Sequence, residues 1–388
     1  MTKTITQTFS VSHEYRISFT KSLFNTSNTM LPEILKSSGT GKSVKTVVVM
    51  DDGVAAHHPL LTEEISAFFT VHAASLSLCA APLLVTGGEA TKNSLTDVEK
   101  VLHLINDAKV DRHAFIIAIG GGAVLDMVGF AASIGHRGIG IIRVPTTVLS
   151  QNDSGVGVKN SVNFFGKKNF LGTFAPPVAV INDSDFLLTL DDRHWRAGIS
   201  EAIKVALIKD RRFFEWIETN VSRLSNREME PMQYLIHRCA EMHTEHIGRG
   251  GDPFEKGSSR PLDFGHWAAH KLEQLTNFEV LHGEAVAIGI CLDVAYSYEL
   301  GLIDEAVLKR VIRCFQGLGF TIYHDALAAT PPAVGASPEL IAGLEEFREH
   351  LGGELTIMLL KGVGQSTEYH EMDVPTIAKA MAYLRAAS

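Results

Sequence analysis

The chain has 388 residues, more than one ordinary hydrophobic core organises, so two domains are expected. Hydrophobic residues make up 45% and charged residues 20%, as in soluble globular proteins, and no apolar stretch reaches the ~20 residues of a membrane span. A formal net charge of −9 speaks against nucleic acid as a main partner, and four widely spaced cysteines without a CxxC suggest neither a disulfide framework nor a thiolate zinc site.

In chain order, MTKTITQTFSVSHEYRISF alternates polar and apolar residues like a strand. It lacks the apolar centre of a signal peptide, so a cytoplasmic location is expected. KTVVVMDD (45–52), APLLVTGGE (81–89), AFIIAIGGG (114–122) and GIIRVPTT (140–147) are strand-like runs. Helical stretches separate them, among them LTDVEKVLHLINDAKV (95–110) and AVLDMVGFAASI (123–134). Apolar strands alternating with helices predict a parallel sheet covered on both faces. From about residue 190 the periodicity becomes helical, until a hairpin-like piece at 353–364. The expected division is an α/β domain over 1–190 and an all-α domain over 191–388, resting on that change of pattern alone.

Several segments carry candidate chemistry. Gly120, Gly121 and Gly122 follow one strand and precede a helix, which suits a pyrophosphate at a helix N-terminus, although glycine turns are common in such folds. Asp51, Glu89 and Lys92 close two other strands, and acids there suit ribose hydroxyls. The stretch 143–177 reads as a long Gly-rich loop with Asp153, Lys159, Lys167, Lys168 and Asn169. It points to an anion such as phosphate, or to a merely solvated basic loop. Glu201 and Lys204 lie three apart on one helix, and spacing alone favours an ordinary surface pair. His266 and His270 lie four apart, with His282 following. Such a pair is more often surface or core than ligand, yet a carboxylate with two imidazoles suits Zn²⁺.

Read together, GGGAVLDMVGFAAS, RVPTTVLSQNDSGVGVKN, GKKNFLGTF, GISEAIK, FGHWAAHKLE and LHGEAVAIG resemble, in order, the motifs of the sugar phosphate cyclases, the superfamily of 3-dehydroquinate synthase. The resemblance covers roughly 45–320. It implies an N-terminal NAD-binding α/β domain, a helical C-terminal domain, NAD, and Zn²⁺ or Co²⁺. By position it puts metal ligands at Glu201, His266 and His282, with His270 on the substrate side. Asp153, Lys159, Lys168, Asn169 and Lys204 fall on substrate positions. Arg137 falls on a phosphate-binding arginine that reaches across a homodimer. Asp51, Glu89, Lys92, Gly121, Gly122, Asp126, Thr146 and Thr147 fall on cofactor positions. The implied reaction is transient oxidation of a sugar phosphate by NAD, β-elimination of phosphate, re-reduction and intramolecular aldol closure.

Departures from the pattern bear on the substrate. Where 3-dehydroquinate synthases carry a lysine and then an asparagine before the first histidine, this chain has Cys239 and Asp263. RPLDFGH instead resembles the C7-cyclitol synthases, such as 2-epi-5-epi-valiolone synthase, although these usually lack the histidine kept here as His270. EFREHLGG (346–353) stands where 3-dehydroquinate synthases have DKK. The expected substrate is sedoheptulose 7-phosphate rather than a carboxylated heptulosonate, with Arg260 as the residue that would reverse the choice by binding a carboxylate. A 3-dehydroquinate synthase, an iron-type alcohol or glycerol dehydrogenase and an idle binding relative remain as alternatives.

Overall fold

The structure is a computed structural model and describes residues 3–36, 43–250, 253–254, 261–328, 335–350 and 352–388. Arg260 lies outside the described residues. The chain divides into two compact units, Met1–Pro145 with Val158–Asp183, and Thr146–Gly157 with Ser184–Ser388. The change of periodicity put the division at 190, and did not separate 146–157 from the residues around it.

The first unit is built on seven parallel strands: β1 (Arg16–Thr20), β2 (Val44–Asp51), β3 (Leu76–Leu78), β4 (Leu83–Val85), β5 (Phe115–Gly120), β6 (Gly140–Pro145) and β9 (Ala179–Asp183). Their order is β1-β9-β6-β5-β2-β3, with β4 continuing along the β2 edge beyond β3. Each residue of β5 is buried, and β2 is buried throughout except Lys45. That explains why these strands read as unbroken apolar runs rather than alternating ones. The chain runs outward from β2 to β3 and β4, then returns to β5 on the other side. The carboxyl ends of β2 and β5 therefore flank the reversal point where α/β sheets bind ligands.

The expected loop at 143–177 is mostly regular structure. It holds a short helical turn, Ser150–Ser154, and an antiparallel hairpin of β7 (Lys159–Phe164) and β8 (Lys167–Phe174). Its turn residues Phe165 and Gly166 have φ of 53° and 71°, the backbone that two-residue hairpin turns require. Its density of glycine and lysine made the stretch read as loop. Arg143, fully buried on β6, donates through Nη2 to the Lys159 carbonyl at 2.8 Å and to Asn160 Oδ1 at 2.7 Å. These bonds pin the start of the hairpin to the sheet.

Among its described residues the second unit is helical apart from the late hairpin β10 (Ile357–Gly362) and β11 (Gln365–Tyr369), whose first strand lies within the expected 353–364 and whose second follows it. Its central helix, His282–Glu299, is buried along almost its whole length. It packs against the helices Asp192–Lys209, His266–Leu275 and Val374–Ala387. Among the described residues no helix is long and apolar enough to cross a membrane.

Inside that core lies an acid. Asp293 is fully buried on the central helix and accepts hydrogen bonds from Gly265 N at 2.9 Å and Trp267 Nε1 at 2.8 Å. Burial pushes its carboxyl up to about 7 from the usual 3.8, the two bonds opposing only in part. The folded chain thus keeps a proton that the unfolded chain releases. Its stabilising effect is full below about pH 4 and is lost as pH rises through about 7. Between those values, unfolding free energy is expected to move against the wild type, relative to Asp293→Asn, by on the order of 2–4 kcal/mol. Urea titrations across the range check this, and a pH-independent difference would show that Asp293 titrates normally.

Candidate active site

The second unit gathers the histidines. Glu201 sits on the Asp192–Lys209 helix, His266 begins the His266–Leu275 helix, and His282 begins the His282–Glu299 helix. They meet because the helix backbones touch at glycines. A Cβ on Gly283 would stand 2.1 Å from the Ala197 carbonyl oxygen, and one on Gly289 would stand 2.0 Å from the Gly265 carbonyl oxygen. No side chain fits at either place.

Glu201 Oε1 is 3.7 Å from His266 Nε2 and 3.5 Å from His282 Nε2. Glu201 Oε1 is buried without a hydrogen bond of good geometry, while Oε2 lies against the Lys204 ammonium. In each imidazole the far nitrogen is engaged. His266 Nδ1 donates to the Phe264 carbonyl at 3.1 Å, and His282 Nδ1 donates to Glu273 Oε2 at 3.2 Å. A proton on Nδ1 leaves the Nε2 lone pair for a metal, as ligand histidines require. Tetrahedral zinc with bonds of ~2.0–2.1 Å would separate its ligand atoms by about 3.4 Å. The three residues fit such an ion, and the orphaned Glu201 oxygen is what the ion would satisfy.

Electrostatics agree. Burial acts against the Glu201 charge, but Lys204 and His282 outweigh it and hold the carboxyl down to about 2. Burial opposes the Lys204 ammonium too, yet Glu201, Asp153 and Asp263 raise it above its ordinary value. Burial, with Lys204 nearby, keeps His266 neutral by lowering it well below its usual value. Glu201 and Lys204 are thus an ion pair with side chains 0% and 4% exposed, not the surface pair that spacing favoured.

His270 joins the cluster, its ring centroid 5.4 Å from that of His266 and 5.9 Å from that of His282. With Glu273 and His282 it forms a second group of metal-capable atoms. Glu273 already accepts the His282 proton, however, so it serves better as that ligand's orienting partner. Asp153, on the Ser150–Ser154 turn, faces Lys204. It also accepts from His243 Nδ1 at 2.8 Å. Asn152 beside it donates to the Gly198 carbonyl at 2.7 Å, docking the turn on the Glu201 helix. Cys239 is packed in the hydrophobic core. One turn later on the same helix, His243 is the residue that reaches Asp153. Sequence reasoning missed both Glu273 and His243. Glu273 lies seven residues after His266, on the same helix face, which is a usable signal.

In the first unit, Asp51 ends β2 and accepts from Gly53 N at 2.8 Å and Val54 N at 3.4 Å, capping the helix Asp52–His57. Gly121 caps the helix Gly122–Ile134 without a side-chain hydrogen bond, leaving its amino end suited to a phosphate. Buried Lys92 donates to Asp126 Oδ2 at 2.8 Å, Ser161 Oγ at 3.3 Å and Asn169 Oδ1 at 2.6 Å. Asn163 continues the network, donating to Glu89 Oε1 at 2.9 Å while its Oδ1 accepts from Asn169 N at 2.9 Å. Glu89, Lys92, Asp126 and Asn169 are thus one network. Lys159 is exposed and Lys168 partly so. Arg137 is exposed in a left-handed backbone, φ 68°, next to His136 at φ 50°. Thr146 and Thr147 belong to the second unit, where Thr147 Oγ1 hydrogen-bonds Ser150 Oγ at 2.8 Å.

The 3-dehydroquinate synthase N-terminal family model matches residues 82–197, and the C-terminal model matches residues 198–334. The chain is 33% identical over 327 residues to a 3-dehydroquinate synthase of Shewanella halifaxensis, covering 84% of this chain and 86% of that protein. It is equally 33% identical, over 342 residues, to a 2-epi-valiolone synthase of Actinosynnema mirum, covering 88% of this chain and 86% of that one. The solved structure of ValA, a 2-epi-5-epi-valiolone synthase from Streptomyces hygroscopicus with NAD⁺ and Zn²⁺ bound, matches with a TM-score of 0.86 at 28% identity, over 99% of each chain. By these matches the chain belongs to the 3-dehydroquinate synthase family of sugar phosphate cyclases.

Proposed function

We propose that this protein is a metal- and NAD-dependent cyclase of a phosphorylated seven-carbon ketose, with sedoheptulose 7-phosphate as substrate and a valiolone-type cyclitol as product. The supporting observation is the charge around Lys204, which is the shared counter-ion of Glu201, Asp153 and Asp263. A substrate carboxylate needs a fixed cation of its own, preferably a bidentate arginine. Lys204 is already committed to three acids. Asp263 would add a like charge close by, at a cost on the order of a few kcal/mol at intermediate dielectric. A neutral polyol instead offers hydroxyls that carboxylates accept. Sequence identity does not separate the two kinds of relative, since 3-dehydroquinate synthases match at 32–35% and a 2-epi-valiolone synthase at 33%.

We assign the residue roles from the family positions. Glu201, His266 and His282 would hold Zn²⁺, the ion bound in the ValA structure. Gly121, Gly122 and Asp51, with Glu89, Lys92, Asp126, Thr146 and Thr147, would hold NAD. When bound, the metal supplies Lewis acidity at a substrate hydroxyl and the nicotinamide a reversible hydride acceptor. Lys204 stays charged beside the reacting oxygens, and Asp153, Asn169 and Asp263 accept or donate hydrogen bonds that fix the polyol. Lys159, Lys168 and Arg137 hold the phosphate as it leaves. His270 stands on the substrate side, with imidazole nitrogens able to exchange a proton with a hydroxyl.

Glu201→Gln, His266→Ala and His282→Ala are each expected to be purified without stoichiometric zinc, whereas His270→Ala keeps it. Glu273→Gln should bind zinc about 10–100-fold more weakly while retaining all three ligands. Metal analysis and chelator competition read both effects. A zinc-free His270→Ala protein would reverse the division of roles.

Substrate choice is tested by phosphate release from sedoheptulose 7-phosphate and from the carboxylated heptulosonate phosphate, side by side. Faster release from the first, with no net NADH, is expected. Preference for the second would make the protein a 3-dehydroquinate synthase, the reading that the retained His270 favours. Accumulating NADH would make it a dehydrogenase.

Arg137 further suggests a homodimer in which this exposed side chain completes the partner's phosphate site. Sedimentation equilibrium is expected to give twice the chain mass, and full activity from a dilute monomer contradicts that.

A further inference from the structure

His243 belongs to none of the roles above, yet its geometry is that of a built site. It lies on the helix Met229–Arg249 with its side chain 12% exposed, and Asp153, 22% exposed, holds its Nδ1 at 2.8 Å. The ionised carboxylate can only accept, so Nδ1 carries the proton. Burial opposes the Asp153 charge, but Lys204 and His243 outweigh it and keep the carboxyl below its usual range. The other ring nitrogen lies against Gly157. A Cβ at 157 would stand 3.6 Å from Nε2 and 4.0 Å from Cε1. Any residue but glycine would lay carbon over that nitrogen. An imidazole oriented by a carboxylate, with its second nitrogen making no hydrogen bond among the described residues, is the arrangement by which histidines engage substrate hydroxyls.

We infer that His243 is a specificity-determining residue, its Nε2 accepting a hydrogen bond from a hydroxyl of the substrate's polyol chain while Asp153 fixes the ring. The inference deepens the proposed function and rests on it. A hydroxyl can donate to Nε2, whereas a carboxylate has nothing to donate and would face the charge of Asp153. His243 therefore favours the neutral heptulose over the carboxylated one. Gly157 is part of the device because it keeps that ring edge open.

Three variants separate this role from a structural one. His243→Phe removes both ring nitrogens. His243→Asn keeps an N–H where Nδ1 stands and removes Nε2. Gly157→Ala keeps the imidazole and covers Nε2, with the added methyl at ordinary van der Waals distance and no positive φ to strain it. All three are expected to lower kcat/KM for sedoheptulose 7-phosphate about tenfold or more, mainly through KM. For the carboxylated heptulosonate phosphate the change should stay within about threefold. Zinc content and thermal midpoint of the Asn and Ala variants should match wild type. Normal kcat/KM in those two, with loss only in His243→Phe, would reduce His243 to a support for Asp153 and overturn the inference. Wild-type protein that releases phosphate from neither sugar would overturn the proposed function, and this inference with it, before any variant is made.

Discussion

A carboxylate with no exposed surface sets the terms for the second unit. Glu201 is held ionised in a helical core, where an unpaired charge would be prohibitively costly. Lys204, one turn along the same helix, supplies one positive charge, and a divalent ion between Glu201, His266 and His282 would supply the rest. The pair alone leaves Glu201 Oε1 without a well-formed hydrogen bond. A buried ion pair is weak evidence of stability but good evidence of function, because apolar residues would pack the same space at lower cost.

The close backbone contacts serve that constraint. A carboxylate oxygen 3.5 Å from one imidazole and 3.7 Å from another leaves little slack, since an ångström of drift would spoil the coordination. Side chains between the helices would allow such drift, whereas Gly283 against Ala197 and Gly289 against Gly265 do not. Asp293 tightens the same place, bonding to the residues on either side of His266. The first unit uses another device. There, buried Arg143 ties the hairpin of β7 and β8 to the sheet, so that Lys159 starts from a fixed backbone.

Much of this was legible in the sequence. Strands buried on both faces read as apolar runs, and Glu201, His266 and His282 stood out through motif order. The loop at 143–177 was misread because glycine and lysine density is a composition signal, while the hairpin depends on where one turn glycine falls. The surface reading of Glu201 and Lys204 failed because i, i+3 spacing describes a helix face and not what packs on it. His243 stayed hidden for a different reason. Its spacing carries no signal, and the comparison with the family pattern drew attention to Cys239, which packs in the core one turn earlier. Only the distance to Asp153 distinguishes the two.

Under the proposed function, metal binding and substrate choice would be set by different parts of one unit. The metal-capable side chains depend on helix backbones in direct contact, where almost any added atom is excluded. Asp153 sits on a short turn, His243 on the edge of a neighbouring helix, and Asp263 on the approach to His266. None of these three belongs to the Glu201, His266 and His282 group. Their charges nevertheless meet at Lys204 and Asp153, so a change in any one alters what the others present to a ligand. A fixed metal centre beside an adjustable set of hydrogen-bonding groups lets one scaffold hold one chemistry while its substrate is decided by a few polar side chains.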